Sequence, residues 1–375
     1  MSELPRFTPP SGADARALRS VLAEWYAESA RDLPWRRTRD AYAIWISEAM
    51  LQQTRVEVVV DYWTRFLEQF PDVRTLAEAD EERVLEAWSG LGYYRRARSL
   101  QAAARVMVAE FGGEFPRSRE AALSLPGVGP YTAGAVLSIA YDLPVALVDG
   151  NVERVLSRVF GVDGTKGSPE LLRCMWSAAE FLVERGTAKS DLVAPSVWSQ
   201  ALMELGALVC TPRAPKCAAC PVRGHCAAFA TDRAEELPRP KKRREPVDVA
   251  LEVYVVREGD AVLLVRRPST GRMARMWEFP TVEASDTGLF PTELPDWIGP
   301  RLEPGHELFE FGHGITHHRI RARVRAARAP RFRWLDDPEV GRVVVTLEDA
   351  RRLALTGMAR KVLDRLDSGA DSLFA

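Results

Sequence analysis

No stretch of this 375-residue chain approaches the roughly 18 consecutive apolar residues of a membrane-spanning helix, which excludes a helical transmembrane protein. The start, MSELPRFTPPSGADAR, lacks a basic end followed by an apolar block. No secretory leader is expected, and the expected location is cytoplasmic. Net charge is also lacking. Lysine plus arginine number 51 and aspartate plus glutamate 52, a formal charge of −1. That excludes a simple polycation binding nucleic acid by bulk attraction. No internal repeat is evident. What is present is a 46% hydrophobic composition, enough to build cores and too much for a disordered chain. At ~100–200 residues per domain, the length suggests two or three domains.

Cysteines are scarce, but four of the five fall within 17 residues: Cys210, Cys217, Cys220 and Cys226, spaced C-x6-C-x2-C-x5-C. A cytosolic chain keeps thiols reduced, so such a cluster reads as metal ligands rather than disulfides. Tetrahedral thiolate ligation suits zinc or an iron–sulfur cluster. Zinc ribbons pair two C-x2-C knuckles far apart, whereas one compact loop supplies everything here, which favours a [4Fe–4S] cube and leaves zinc open. Arg213, Lys216 and Arg223 lie between the ligands and make the loop basic. Cys174 stands alone and reads as a small buried hydrophobe.

Residues 14–232 read as helical, with apolar residues at three and four spacings (Val58, Tyr62, Phe66, Phe70) and short Gly/Pro turns. Residues 233–246, RAEELPRPKKRREP, read as a basic interdomain linker containing Lys241-Lys242-Arg243-Arg244. From 247 to 375 the character changes to α+β. Residues 247–256 and 261–267 flank the turn Glu258-Gly259-Asp260, a hairpin pattern. Residues 311–334 hold seven arginines and no acid. Within them RIRARVR alternates, so Ile320, Ala322 and Val324 should face a core and Arg319, Arg321, Arg323 and Arg325 the opposite side. One helix is expected over about 347–366.

Three further motifs carry chemistry. Leu125-Pro126-Gly127-Val128-Gly129-Pro130-Tyr131 lies between helix-like segments 118–124 and 131–140. It reads as a helix–hairpin–helix whose backbone N–H groups at 127–131 could hold a DNA phosphate; an ordinary packed turn is the alternative. Val148-Asp149-Gly150-Asn151-Val152 follows. Alone it is a turn or cap; after such a hairpin, Asp149 becomes a candidate catalytic carboxylate. In Trp45-Ile46-Ser47-Glu48-Ala49-Met50-Leu51-Gln52-Gln53-Thr54, Glu48 sits among apolar residues that should raise its pKa, as a general acid needs. Thr54-Arg55-Val56-Glu57 fits a capping box, which places Gln52 and Gln53 in a joint between two helices.

Together, SEAMLQQT, GLGYYRRAR, LPGVGPYTAGA, VDGNVERV and the cysteine spacing resemble the iron–sulfur helix–hairpin–helix DNA glycosylases, and within them the adenine DNA glycosylase (MutY) family. The resemblance implies a multidomain protein: an all-α glycosylase domain (14–232) with a [4Fe–4S] loop, and a C-terminal α+β MutT-like, Nudix-type domain (247–375). It implies removal of adenine mispaired with 8-oxoguanine or guanine in double-stranded DNA, by a monomer. Glu48 would protonate the base and Asp149 stabilise the sugar cation, with Tyr131 and Asn151 positioning Asp149 and the water. Arg31, Trp35, Leu51 and Gln200 match positions around the adenine; Gln53 and Tyr93 match positions that wedge into the duplex. Endonuclease III-like lyases carry a lysine where this chain has Tyr131, so a lyase acting through an imine is disfavoured. A non-catalytic redox sensor is the other alternative. Trp277-Glu278-Phe279-Pro280 supports the MutT-like assignment, while the acidic REUXEE core of a hydrolytic Nudix box is absent. Ile315-Thr316-His317 stands at the family's Phe-Ser/Thr-His loop, a departure that removes an aromatic ring and keeps the hydrogen-bonding capacity of Thr316 and His317. His313 and His318 read as bystanders.

Overall fold

The computed structural model describes residues 5–185, 193–242, 245–296, 298, 302–329, 336–339 and 341–368. Arg243 and Arg244 of the basic linker, and Arg331 and Arg333 of the arginine-rich stretch, lie outside the described residues. No helix among the described residues is long and apolar enough to cross a membrane. By backbone contacts the chain divides into two compact units, Met1–Ala79 with Arg98–Lys242, and Asp80–Ala97 with Arg243–Ala375.

The first unit is helical. Its elements are α1 (Gly12–Ser29), α2 (Ala41–Leu51), α3 (Val56–Gln69) and α4 (Val73–Glu78); α5 (Glu81–Ala87) falls in the other unit and α6 (Arg95–Glu110) starts there. Then come α7 (Arg119–Ser124), α8 (Pro130–Tyr141), α9 (Gly150–Val159), α10 (Pro169–Arg185), α11 (Pro195–Leu208) and the short α12 (Ala227–Ala230). Most starts carry a cap that the sequence spells out. Side chains of Ser11, Asp40, Asp72, Ser118 and Asp149 accept from backbone N–H groups of the first turn, and α8 and α11 open on proline. Residues Ala41–Met50 of α2 are buried all round, so this helix is a central element, packed on α8. In turn α11 packs on α1, α8 and α9. Asp142 ends α8 in the left-handed region (φ 56°), and its Oδ1 accepts from Ser196 N at 2.8 Å, which ties that end to the start of α11.

Two expectations need correction here. The N-cap of α3 is Arg55 with no side-chain bond; Thr54 Oγ1 instead donates to Gln52 O at 3.5 Å, so the capping box does not form. The first half of the expected linker is part of the helical unit. Leu237 is 1% exposed, Arg158 Nε donates to its carbonyl at 2.8 Å, and Arg239 exchanges backbone hydrogen bonds with Gly164 and Lys166.

In the second unit lie β1 (Val247–Glu258), β2 (Ala261–Arg266), β3 (Trp277–Glu278), β4 (Thr281–Glu283), β5 (Glu303–Ile315), β6 (His318–Arg328), β7 (Arg342–Thr346), α13 (Leu347–Arg352) and α14 (Gly357–Ser368). The sheet runs β3-β2-β1-β6-β5, with β4 on β1 and β7 on β2; β1 and β6 are parallel. The hairpin at Gly259-Asp260 forms, with Glu258 opposite Ala261 and Gly259 at φ 62°. Val249, Leu251, Val253 and Val255 alternate onto one face and meet Ile320, Ala322 and Val324 of β6 and Met358, Val362, Leu363 and Leu366 of α14. Each of the larger side chains contributes roughly 1.5–3 kcal/mol by leaving water, and the Ala322 methyl less. The expected C-terminal helix is two helices. Residues 353–356 are extended because Ala354 O accepts from Trp277 N and Thr356 N donates to Trp277 O, both at 2.9 Å.

The arginine face of β6 exists but is not a bare cationic strip. Arg319 pairs with Asp248 (2.8 Å), Arg321 with Glu310 (3.5 Å), Arg323 with Glu252 (3.1 Å) and Arg325 with Glu252 (3.8 Å). Neighbouring strands supply the acids, which a count along one segment could not see.

Candidate active site

Apolar α2 carries Glu48 into the interior, where it is 4% exposed. Burial pushes its pKa up to about 7, against the hydrogen bond from Tyr131; the Asp149 charge adds to the rise and Arg36 opposes it. Tyr131, at the first turn of α8, donates its hydroxyl to Glu48 Oε2 at 2.5 Å. That leaves Oε1 to carry the acid proton. Burial and the neighbouring Glu48 hold the Tyr131 phenol well above its ordinary value, so it stays a donor. Glu48 is thus a neutral-range acid, not a surface carboxylate.

Asp149 is the N-cap of α9. Its Oδ1 accepts from Asn151 N (2.9 Å) and Val152 N (2.7 Å), and its Oδ2 accepts from Asn151 Nδ2 (3.0 Å). The carboxylate is therefore fixed in orientation. Arg154 Nη2 donates to Asn151 Oδ1 at 2.9 Å and to Gly206 O at 2.8 Å, while its Nε donates to Cys210 O at 2.7 Å. This links the Asp149 loop to the cysteine loop. A Cβ on Gly206 would lie 2.7 Å from Asn151 Cβ, so only glycine lets α11 come this close.

Glu48, Tyr131, Asp149 and Asn151 line one cavity of about 730 Å³ with Arg31, Trp35, Leu51, Gln52, Gln53, Gln200, Gly127 and Gly129. Gln52 Nε2 donates to Thr132 Oγ1 at 3.3 Å, and Gln53 takes φ 60° in the joint between α2 and α3. Val128 is buried and its N–H donates to Leu125 O at 3.1 Å, while Pro130 has no N–H. The open amides of the hairpin are therefore those of Gly127 and Gly129 and the first turn of α8, a shorter set than 127–131.

Sequence reading missed three residues here. Glu204, 1% exposed, accepts from Arg31 N (3.0 Å), Nε (2.9 Å) and Nη2 (2.7 Å) and from Arg36 Nη1 (3.0 Å) and Nη2 (2.8 Å). Its five bonds outweigh its burial and hold its pKa at about 2. Tyr26 donates to Gln200 Oε1 at 3.2 Å. The four-residue step from Gln200 to Glu204 puts both on one face of α11, the signal that could have found Glu204. Partners some 170 positions away gave none.

In the second unit Tyr93 is 53% exposed at φ 51°. Thr316 and His317 form the two-residue tip of the β5–β6 hairpin, with Thr316 at φ 56°. The His318 ring lies 4.1 Å from that of His317. Neither buried glutamate of this unit is free: Glu278 is paired with Arg267 (2.8 Å) and Glu283 accepts from Thr287, Leu289 and Phe290 N–H groups.

Cys210, Cys217, Cys220 and Cys226 line one small cavity, and Arg158 Nη1 donates to Cys210 Sγ at 3.3 Å. Four thiols with no histidine or carboxylate among them fit an iron–sulfur cube, one thiolate per iron. Among the described residues no group of three or more histidine, cysteine, aspartate or glutamate side chains is disposed to hold a single metal ion.

Residues 46–180 match the HhH-GPD superfamily of base excision DNA repair proteins, 210–226 the iron-sulfur binding domain of endonuclease III, and 252–365 a NUDIX domain. A thermostable thymine-DNA glycosylase superposes with a TM-score of 0.51 at 30% identity, covering 58% of this chain and 98% of its own. Fold and site together define a DNA glycosylase of the helix–hairpin–helix class, with a [4Fe–4S] cofactor and a C-terminal NUDIX domain. Within that class the adenine DNA glycosylase of Mus musculus is 39% identical over 86% of this chain and 74% of its own length. That of Rattus norvegicus is 36% identical over 93% and 78%. The chain belongs to the adenine DNA glycosylase family.

Proposed function

We propose that this enzyme hydrolytically excises adenine mispaired with 8-oxoguanine or guanine in duplex DNA, as a monofunctional glycosylase. The observation that carries this is the buried Glu48 carboxyl, poised at about 7 and held by Tyr131 beside a fixed Asp149. The adenine flips into the cavity, at a cost of a few kcal/mol. Glu48 donates its proton to the base, at N7, which makes it a leaving group. Asp149 stabilises the oxocarbenium-like sugar, the role one carboxylate plays in glycoside hydrolysis. Asn151 holds Asp149 in place. Arg31, Trp35, Leu51 and Gln200 surround the base, and Gln53 and Tyr93 fill the gap it leaves. The hairpin amides hold phosphate. Thr316 and His317 read the opposite base. When bound, the cluster cross-links the 210–226 loop and so shapes its basic surface. The protein acts on DNA in the cytoplasm as a monomer.

Tyr131 stands where an imine-forming lysine would be needed, and a phenol forms no imine. Borohydride trapping on A:8-oxoguanine duplexes, run beside alkaline scoring of abasic product, tests both halves. Abasic product without active-site trapping is expected; strand cleavage coupled to a trapped adduct would contradict monofunctional chemistry.

A further inference from the structure

Tyr93 is 53% exposed and lies in the left-handed region, at φ 51°. A bulky residue adopts that conformation only where its surroundings hold it. The hold is visible on both sides of the residue. The carbonyl of Gly92, in the peptide that joins Gly92 to Tyr93, accepts from Trp88 Nε1 at 3.2 Å and from Arg96 Nη2 at 3.1 Å. The carbonyl of Tyr93 itself accepts from Arg96 N at 2.8 Å. Arg96 Nη2 also donates to Leu91 O at 3.2 Å. Arg96 thus fastens the consecutive carbonyls of Leu91, Gly92 and Tyr93.

The same guanidinium meets two rings. Its carbon lies 5.3 Å from the centre of the Trp88 ring and 5.5 Å from that of Tyr93. Trp88 is fully buried and forms the fixed end; Tyr93 is the open end. Burial draws the Arg96 pKa down to about 10, so the cation persists at neutral pH. A cation facing an aromatic ring attracts it. Peptide planes fixed on either side of Tyr93 set the direction of its Cα–Cβ bond, and the guanidinium restricts the ring beyond that. A loose tyrosine loses rotamer freedom when it is ordered between bases; one already held loses less.

We propose that Arg96 is a positioning residue for base extrusion, holding the Tyr93 ring ready, before DNA binds, for insertion beside the mispair. This rests on the reading of Tyr93 as a residue that fills the gap left by the adenine. Arg96 acts through Tyr93, so its loss has little effect once the ring is gone. A purely structural arginine would slow release by the same factor with or without the ring.

The experiment is a double-mutant cycle on single-turnover adenine release from an A:8-oxoguanine duplex. Arg96→Met should slow release by roughly threefold to tenfold, the worth of a hydrogen bond with a cation–π contact. In a Tyr93→Ala background the same substitution should change the rate by less than about twofold. No loss in the otherwise native enzyme, or equal losses in both backgrounds, overturns the proposal. Arg96→Lys is the milder cut for folding. It keeps the charge and loses the rigid fork of N–H groups, so it should show a smaller loss with the same dependence on Tyr93; a loss independent of Tyr93 overturns the proposal equally. Extrusion is read apart from chemistry with 2-aminopurine in place of the adenine and Glu48→Gln enzyme. Its fluorescence rises as it leaves the stack, and adding Arg96→Met should diminish that rise; an undiminished rise contradicts the role. If Tyr93→Ala alone releases adenine at the wild-type rate, the reading of Tyr93 falls and this inference with it. A slow Tyr93→Ala beside a normal Arg96→Met removes this inference alone.

Discussion

The proposed chemistry turns on one carboxyl group in the wrong solvent for its charge. Glu48 is buried, and its folded pKa of about 7 lies above the ordinary 4.5. Between these values the folded state binds a proton that the unfolded state has released. Stability therefore falls as pH rises from about 4.5 through about 7, and levels off above. Glu48→Gln removes this burden. Its melting temperature should gain on the wild type across that window, as measured by calorimetry at pH 4 and pH 8; a gap that does not grow would contradict the shifted titration. Asn151→Ala should lower the rate by roughly tenfold to a hundredfold with the fold intact, because Asp149 Oδ2 loses its side-chain donor while the two backbone bonds to Oδ1 remain. An unchanged single-turnover rate would remove Asn151 from the site. At this scale the sequence was informative for Glu48, Asp149 and Tyr131, because each stands in a dense local motif. It was silent on Tyr26, Arg36 and Glu204, whose meaning comes from partners distant in the chain.

Among elements, the hairpin and the β6 strand make opposite points. Gly127 takes φ 76°, and a Cβ there would fall 2.4 Å from Ser99 Cβ. Gly127→Ala should destabilise the protein by about 1–3 kcal/mol and weaken binding to undamaged duplex; denaturant melts and salt-titrated affinity would show it, and unaltered values for both would mean the turn tolerates a side chain. The element boundaries legible beforehand were those with prolines and glycines at the turn, such as α8, read as 131–140 and found as Pro130–Tyr141. The false capping box at Thr54 and the split between α13 and α14 were not, because Trp277 competes for the 353–356 backbone. The alternation of β6 correctly gave its two faces, but not the acids of β1 and β5 that pair its arginines. Arg321→Ala should therefore leave the salt slope of DNA binding nearly unchanged, because the guanidinium already pairs with Glu310. A slope reduced by about one unit would show instead that Arg321 holds a phosphate.

For the whole molecule, a net charge of −1 is compatible with a DNA-acting enzyme because the proposed binding devices are local: open amides, the arginine-bearing cysteine loop and a hairpin tip. The two-unit division does not follow the chain. Residues 80–97 cluster with 243–375, so cutting the chain at the linker would strip that segment of its neighbours. Composition shifts marked the change near 247 and could not reveal this exchange, which depends on tertiary packing. The cleaner probe of the second unit is the tip itself. Thr316→Ala with His317→Ala should reduce the preference for adenine opposite 8-oxoguanine over adenine opposite guanine, with little loss in the latter; equal losses on both would deny the tip its reading role.

The central claim is that a protonated Glu48 drives loss of adenine. Its most direct test is the first-order rate of adenine release from an A:8-oxoguanine duplex with enzyme in excess, for the wild type and Glu48→Gln, at pH 6 to 9. The wild-type rate should decline as pH rises past about 7, and the variant should lose at least roughly a hundredfold at every pH. A variant as fast as the wild type, or a wild-type rate that climbs with pH, would contradict the account.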